Sequence, residues 1–157
     1  MPSLFQISER SHAGLILMAE LAQEYHAGKR NVTLVGVAHE KQLSHGYLEE
    51  IASALKKANL IQGKKGPNGG YVLTRAPQTI TAEEILTALE GPIHLVGCQL
   101  APGACPAEGK CTSRSFWSVL QQRVVETVRA EREHGVQRRP ALRERAGLGD
   151  VRGHRQD

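Results

Sequence analysis

The cysteines at positions 98, 105 and 111 are the only three in this 157-residue chain, and they lie together in the spacing C-x6-C-x5-C. Pro102, Gly103, Pro106 and Gly109 fall between them and exclude a regular helix or strand, so a loop is predicted. A loop that gathers every thiol of a protein has the composition of a ligand cage. Soft thiolates suit iron–sulfur clusters, zinc or copper(I). Three of them leave one coordination position for a residue of another type.

A second chemistry is written in charge. The net charge of +4 is spread unevenly. Residues 135–157 hold six arginines against Glu144, Asp150 and Asp157, and their Arg/Gly/Pro-rich, apolar-poor composition predicts a disordered basic tail. Residues 51–82 hold Lys56, Lys57, Lys64, Lys65 and Arg75 without one acidic residue. Such a segment suits a phosphate backbone; a solvated surface is the plainer alternative.

The elements that must position these groups follow from periodicity and punctuation. Residues 8–27 read as a first helix, with Ser8 as N-cap, Leu15, Met18, Leu21 and Ala22 at helical spacing, and Gly28 beyond its end. Thr33 caps a second helix running to about Lys41. After a short break Ser44 caps a third, whose apolar face is Leu48, Ile51, Leu55 and Ala58. Two short helices joined this closely form a helix-turn-helix pattern. Strand-like 60–62 and 71–74 then flank a glycine-rich turn carrying Lys64 and Lys65, which reads as a β-hairpin wing. Thr81 and Glu84 have capping-box spacing and open a fourth helix over 81–89, stopped by Gly91-Pro92. Beyond the cysteines a long helix is predicted from Thr112 to about His134, with Phe116, Trp117, Leu120, Val124 and Val128 as an apolar stripe. That stripe suits a second copy of the chain better than its own small domain, because helix-turn-helix proteins commonly read two half-sites.

Several classes are disfavoured. The longest apolar runs are too short to span a membrane, no secretion signal is visible, and an odd cysteine count points to a reducing, cytoplasmic setting. No phosphate-binding glycine loop, dinucleotide fingerprint or nucleophile elbow is present, so an enzyme is not expected.

The helix-turn-helix, the wing Gly66-Pro67-Asn68-Gly69-Gly70-Tyr71 and the cysteine trio ahead of a long helix together resemble the Rrf-two superfamily of bacterial winged-helix regulators, which includes the IscR, NsrR and RirA types. The resemblance covers roughly residues 4–134. It implies a mainly α fold with a small β-hairpin wing: a winged helix-turn-helix over 1–80, a cluster-binding loop and dimerisation helix over 81–134, and a tail over 135–157. It implies a homodimer on double-stranded promoter DNA, at a palindromic operator, whose affinity follows the state of a 2Fe–2S or 4Fe–4S cluster and so reports redox state, nitric oxide or iron–sulfur status. By position Cys98, Cys105 and Cys111 match the family's cluster cysteines. The third helix, opening at Ser44, would enter the major groove with Tyr47, Glu49 and Glu50 at the DNA surface; Lys56 and Lys64 add backbone charge, and Lys65 stands where the IscR type has a wing arginine. Glu49 would accept from a cytosine amino group, and Glu50 replaces a glutamine of the IscR type.

Two departures matter. Six residues rather than five separate the first two cysteines, and Arg114 stands where the IscR type has a ligand histidine. Arginine does not deprotonate and is no ligand. The NsrR type takes its fourth ligand from the first helix of the other subunit, and alignment puts His12 at that position; Glu9 and His94 are the other protein candidates, and a non-protein ligand is a further alternative. A neutral imidazole is a competent iron ligand. The same four side chains would also fit tetrahedral zinc, and the cysteines without metal would form a thiol switch.

Overall fold

Three helices, a hairpin and a fourth helix close around one apolar core, and a fifth helix lies against its outside. The computed structural model describes residues 7–28, 31–67, 69–97, 103, 105–107 and 109–131. In order these form α1 (Glu9–His26), α2 (Leu34–Lys41), α3 (His45–Lys57), β1 (Ile61–Lys64), β2 (Gly70–Leu73), a 3-10 turn (Pro77–Thr79), α4 (Ala82–Glu90) and α5 (Arg114–Ala130). The expected fold class, mainly α with a two-stranded wing and a long C-terminal helix, is what forms.

Local signals set most boundaries. The Ser8 side chain accepts from the Ser11 amide and Thr33 from Gly36, each satisfying an orphan amide of a first turn. Thr81 and Glu84 make the reciprocal capping box at the head of α4. Gly28, at φ +64°, ends α1. The strands pair antiparallel with Ile61 opposite Leu73 and Lys64 opposite Gly70. Val32, just ahead of α2, exchanges two backbone hydrogen bonds with Tyr71, at 2.9 and 2.8 Å, so the wing is stitched to the helix-turn-helix.

The core joins Leu17, Met18 and Leu21 of α1 to Leu48, Ile51 and Leu55 of α3, with Ile61, Ile80 and Ile85 closing it. Burying each such side chain contributes about 1.5–3 kcal/mol relative to exposure. Gly14 lets α4 come close: a Cβ built there would lie 2.2 Å from Leu89 Cδ1. Among the described residues no helix is long and apolar enough to cross a membrane.

Three details differ from the sequence reading. Ala58 is exposed rather than part of the apolar face, because α3 ends at Lys57 and the chain turns through Ala58 and left-handed Asn59; Ala52 is buried instead. Ser44 occupies the N-cap position of α3, but its side chain makes no capping bond. The long helix runs from Arg114 to Ala130 rather than from Thr112 to His134. Residues 112 and 113 form a turn, and Glu131 is extended, its carbonyl accepting from the Ala82 amide at 3.0 Å. The basic tail lies outside the described residues.

Candidate nucleic-acid interface and cysteine loop

The faces of α3 divide cleanly. Leu48, Ile51, Ala52 and Leu55 are buried, while Gly46, Glu49, Glu50 and Ser53 are exposed at positions i, i+3, i+4 and i+7. Glu49 and Glu50 therefore stand on the outward stripe. His45 Nδ1 lies 3.9 Å from Glu49 at the start of the helix. Tyr47 is half-buried and packs on the core, so it offers one edge rather than a free ring. Ser44 is exposed with its hydroxyl unused in capping, and Lys56 is exposed in the last turn.

The wing presents charge on a constrained turn. Lys64 closes β1 and Lys65 follows it; both are exposed. The Gly69 amide donates to the Gly66 carbonyl at 2.8 Å. Gly70 adopts φ +151°, and a Cβ there would lie 2.6 Å from the Val32 carbonyl oxygen. Glycine at position 70 is thus required by the stitch to Val32, a role distinct from the approach to phosphates expected of the wing glycines.

Of the thiols, Cys98 lies outside the described residues. Cys105 and Cys111 are free and half-buried. Cys111 sits just ahead of the N-cap of α5, its Sγ 3.5 Å from Ser113 Oγ. The Ser113 hydroxyl, and after it the Ser113 amide, hold the Cys111 thiol below its ordinary range. His12 is exposed on α1, and His94 lines a 580 Å³ cleft with Ser8, Ser11 and Glu90. Among the described residues of one chain, no three of His, Cys, Asp and Glu converge on a common point. His12 is therefore not brought to Cys105 and Cys111 within a single protomer.

One contact roots the start of the segment between α4 and α5, and another fixes the end of α4. Gln121 Nε2 donates to the Ile93 carbonyl, and the Leu95 amide donates to Gln121 Oε1 at 2.8 Å, which clamps residues 93–95 to α5. Glu90 Oε1, at the end of α4, accepts from Ser8 Oγ at 2.5 Å and from Ser11 Oγ at 3.2 Å. The carboxylate thus sits over the positive end of α1. Neither residue was singled out from sequence. Gln121 carried a signal, since it is a polar residue at a stripe position between Trp117 and Val124; Glu90 carried none.

On α5 no residue is buried. Phe116 and Val119 are 61% and 58% exposed, and Trp117, Leu120, Val124 and Val128 are half-buried. Arg129 ties the helix to α4 by a bidentate pair with Glu83, at 2.6 and 2.8 Å, and the guanidinium holds the Glu83 carboxyl below its usual range.

Comparison with known proteins matches residues 7–130 to a family described as Rrf2, iron-dependent transcriptional regulators. The chain is 41% identical over 91 residues to the HTH-type transcriptional regulator CymR of Bacillus subtilis, a match that covers 58% of this chain and 64% of that protein. It is 27% identical over 119 residues to the HTH-type transcriptional regulator IscR of Escherichia coli, covering 76% and 72%. The solved structure of CymR, the global cysteine regulator of B. subtilis, superposes with a TM-score of 0.69 at 32% identity, covering 84% of this chain and 95% of that one. These relatives are transcriptional regulators and not enzymes.

Proposed function

The chain belongs to the Rrf2 family of transcriptional regulators, and on that premise we propose that it is a homodimeric, cytoplasmic, DNA-binding regulator whose affinity for a palindromic operator is set by the state of its cysteine loop. The reading residues are Ser44, Tyr47, Glu49 and Glu50 on or next to α3, with Lys56, Lys64 and Lys65 on the phosphates. The winged helix over 1–80 binds DNA, and the segment over 81–134 senses and dimerises. The open stripe of α5 is the surface a second copy would cover.

Cys98, Cys105 and Cys111 would hold an iron–sulfur cluster, 2Fe–2S or 4Fe–4S, with His12 of the other protomer as fourth ligand. The donor chemistry fits: Cys105 and Cys111 are free, partly accessible thiols, and Cys111 is biased toward thiolate by Ser113. When bound, such a cluster supplies reversible one-electron chemistry and reactivity toward nitric oxide. The chain's own residues carry the consequence. Gln121 fixes the root of the loop to α5, Glu90 fixes the end of α4 to the first turn of α1, and α1 packs on α3. A change in how the thiols are held thereby reaches the reading helix as a difference in DNA affinity between two states. The tie between the end of α4, which leads into the cysteine loop, and the first turn of α1, made by Glu90 with Ser8 and Ser11, is the observation that supports this reading.

A specific observation favours a second reading. The 41% identity is to CymR, and a solved structure of Staphylococcus aureus CymR is of an oxidized form, so here the thiols would respond without iron. Anaerobic purification followed by iron, sulfide and zinc analysis separates the two. Stoichiometric iron and sulfide, lost in Cys105→Ala together with the change in DNA affinity, upholds the cluster. A colourless protein whose DNA affinity shifts reversibly with oxidant and dithiol gives the thiol switch. An unchanged visible spectrum in His12→Ala removes His12 from the ligand set.

A further inference from the structure

Arg10 lies in the first turn of α1, one residue before Ser11, and shares an open cleft of 670 Å³ with Gly46, Glu49, Glu50 and Ser53 of α3. Those four residues are the whole exposed i, i+3, i+4, i+7 stripe of that helix, so Arg10 stands alongside the face that α3 turns outward. Its Nε is buried and has no hydrogen-bond partner. Although Glu49 and Glu50 line the same cleft, no ion pair joins Arg10 to either of them among the described residues, and the partner Glu49 does have nearby is His45. Arginine is always charged and offers a planar fork of donors. A cation with no ion pair to either carboxylate, lining an open cleft beside a reading face that carries two carboxylates, is complementary to an anion arriving from outside. The anion that reaches a reading helix is a DNA phosphate, and the arginine fork matches its geometry. The two carboxylates add a reason: they would repel the backbone at the groove edge unless a cation stood beside them.

We propose that Arg10 is a further DNA-contacting residue, which clamps a backbone phosphate at the edge of the major groove beside the first two turns of α3. The inference rests on α3 being the reading helix. It assigns Arg10 to positioning, sequence-independent binding, and leaves base discrimination to the α3 stripe.

The test uses the full chain, with Arg10→Gln and Arg10→Lys compared with wild type. The probes are a random-sequence duplex and a duplex pool enriched by the wild-type protein, titrated over a salt series. Arg10→Gln is expected to weaken binding to both probes by a similar factor. It should also flatten the slope of log affinity against log salt by about 0.9 per protomer, while Arg10→Lys keeps most of the slope. An unchanged slope in Arg10→Gln overturns the proposal, as does a loss confined to particular base pairs, which would show that Arg10 sets Glu49 or Glu50 instead. Wild type binding neither probe refutes the DNA-reading role of α3 and the clamp together. Wild-type binding with an Arg10→Gln slope parallel to it refutes the clamp alone.

Discussion

Replacing Lys64 and Lys65 together by alanine isolates the electrostatic share of DNA binding that the wing supplies. Both lysines are exposed at the tip of the hairpin, and neither makes an ion pair among the described residues, so both charges are free to neutralise phosphates. Each neutralised phosphate contributes about −0.9 to the slope of log affinity against log salt. Two lysines on each of two wings in a homodimer therefore account for a slope of about −3.6. Between roughly 50 and 200 mM salt, a fourfold change, the double variant should lose about a hundredfold less affinity than wild type. Because neither side chain packs or pairs, folding stability should change by less than about 0.5 kcal/mol. Fluorescence anisotropy at four or more salt concentrations, with urea unfolding as the control, measures both quantities. Parallel log–log lines for wild type and variant, with stability intact, would refute the assignment of the wing to the phosphate backbone.

Four further outcomes follow from the geometry. Gly70→Ala forces a side chain into φ +151° against the Val32 carbonyl and should cost about 1–3 kcal/mol in urea unfolding; a stability equal to wild type would show that the wing is not stitched to α2 as described. Burial pushes the Glu84 carboxyl up, but the Thr81 amide, the Arg75 guanidinium and the Thr81 hydroxyl outweigh it and hold the group below its ordinary range. A depressed carboxyl stabilises the fold above its unfolded value near pH 4.3 and loses that contribution as pH falls through its folded value, so Glu84→Gln should flatten the acid limb of the stability curve. Thr81→Ala, which removes the other half of the same cap, should cost about 1 kcal/mol at neutral pH. Gln121→Leu strips partners from the Leu95 amide and the Ile93 carbonyl, and should accelerate amide exchange at Leu95 at a cost of about 1 kcal/mol; exchange at the wild-type rate would remove the clamp from the account.

What the sequence made legible was local. Ser8, Thr33 and the Thr81–Glu84 pair mark helix starts because their oxygens answer amides two or three residues on, and the α3 core face repeats at helical spacing. Ala58 was misplaced because periodicity continues past the point where the chain leaves the helix, and alanine carries no stop signal. The end of α5 was misplaced for a tertiary reason: the Glu131 carbonyl is taken by the Ala82 amide, a partner 49 positions away. Contacts such as Ser8–Glu90, 82 positions apart, have no local pattern at all. The cysteine spacing was plain in the sequence, but on the proposed reading the fourth ligand would come from a second protomer, and spacing within one chain does not encode that.

The distribution of contacts along α1 bears on where a signal enters the reading face. Ser8 and Ser11 are held by Glu90, Arg10 lies beside the outward stripe of α3, and His12 faces solvent, so neighbouring residues of one turn look to different partners. A small displacement of that turn alters all of these relations at once. Moving α3 within the core is a different matter, because Leu48, Ile51 and Leu55 are fully buried there and disrupting even one such side chain costs about 2–5 kcal/mol. The first turn of α1 is bound instead by a few partly exposed hydrogen bonds, which exchange with water for about 1 kcal/mol each. On the proposed reading, control that costs little would shift the first turn of α1 and leave α3 in place, changing the cation beside α3 rather than the helix itself. On that reasoning Glu90→Gln, which weakens the tether but touches neither the cysteines nor α3, should narrow the difference in DNA affinity between the two states of the loop. It should do so while leaving thiol or metal content unchanged, and an undiminished difference would place the relay elsewhere.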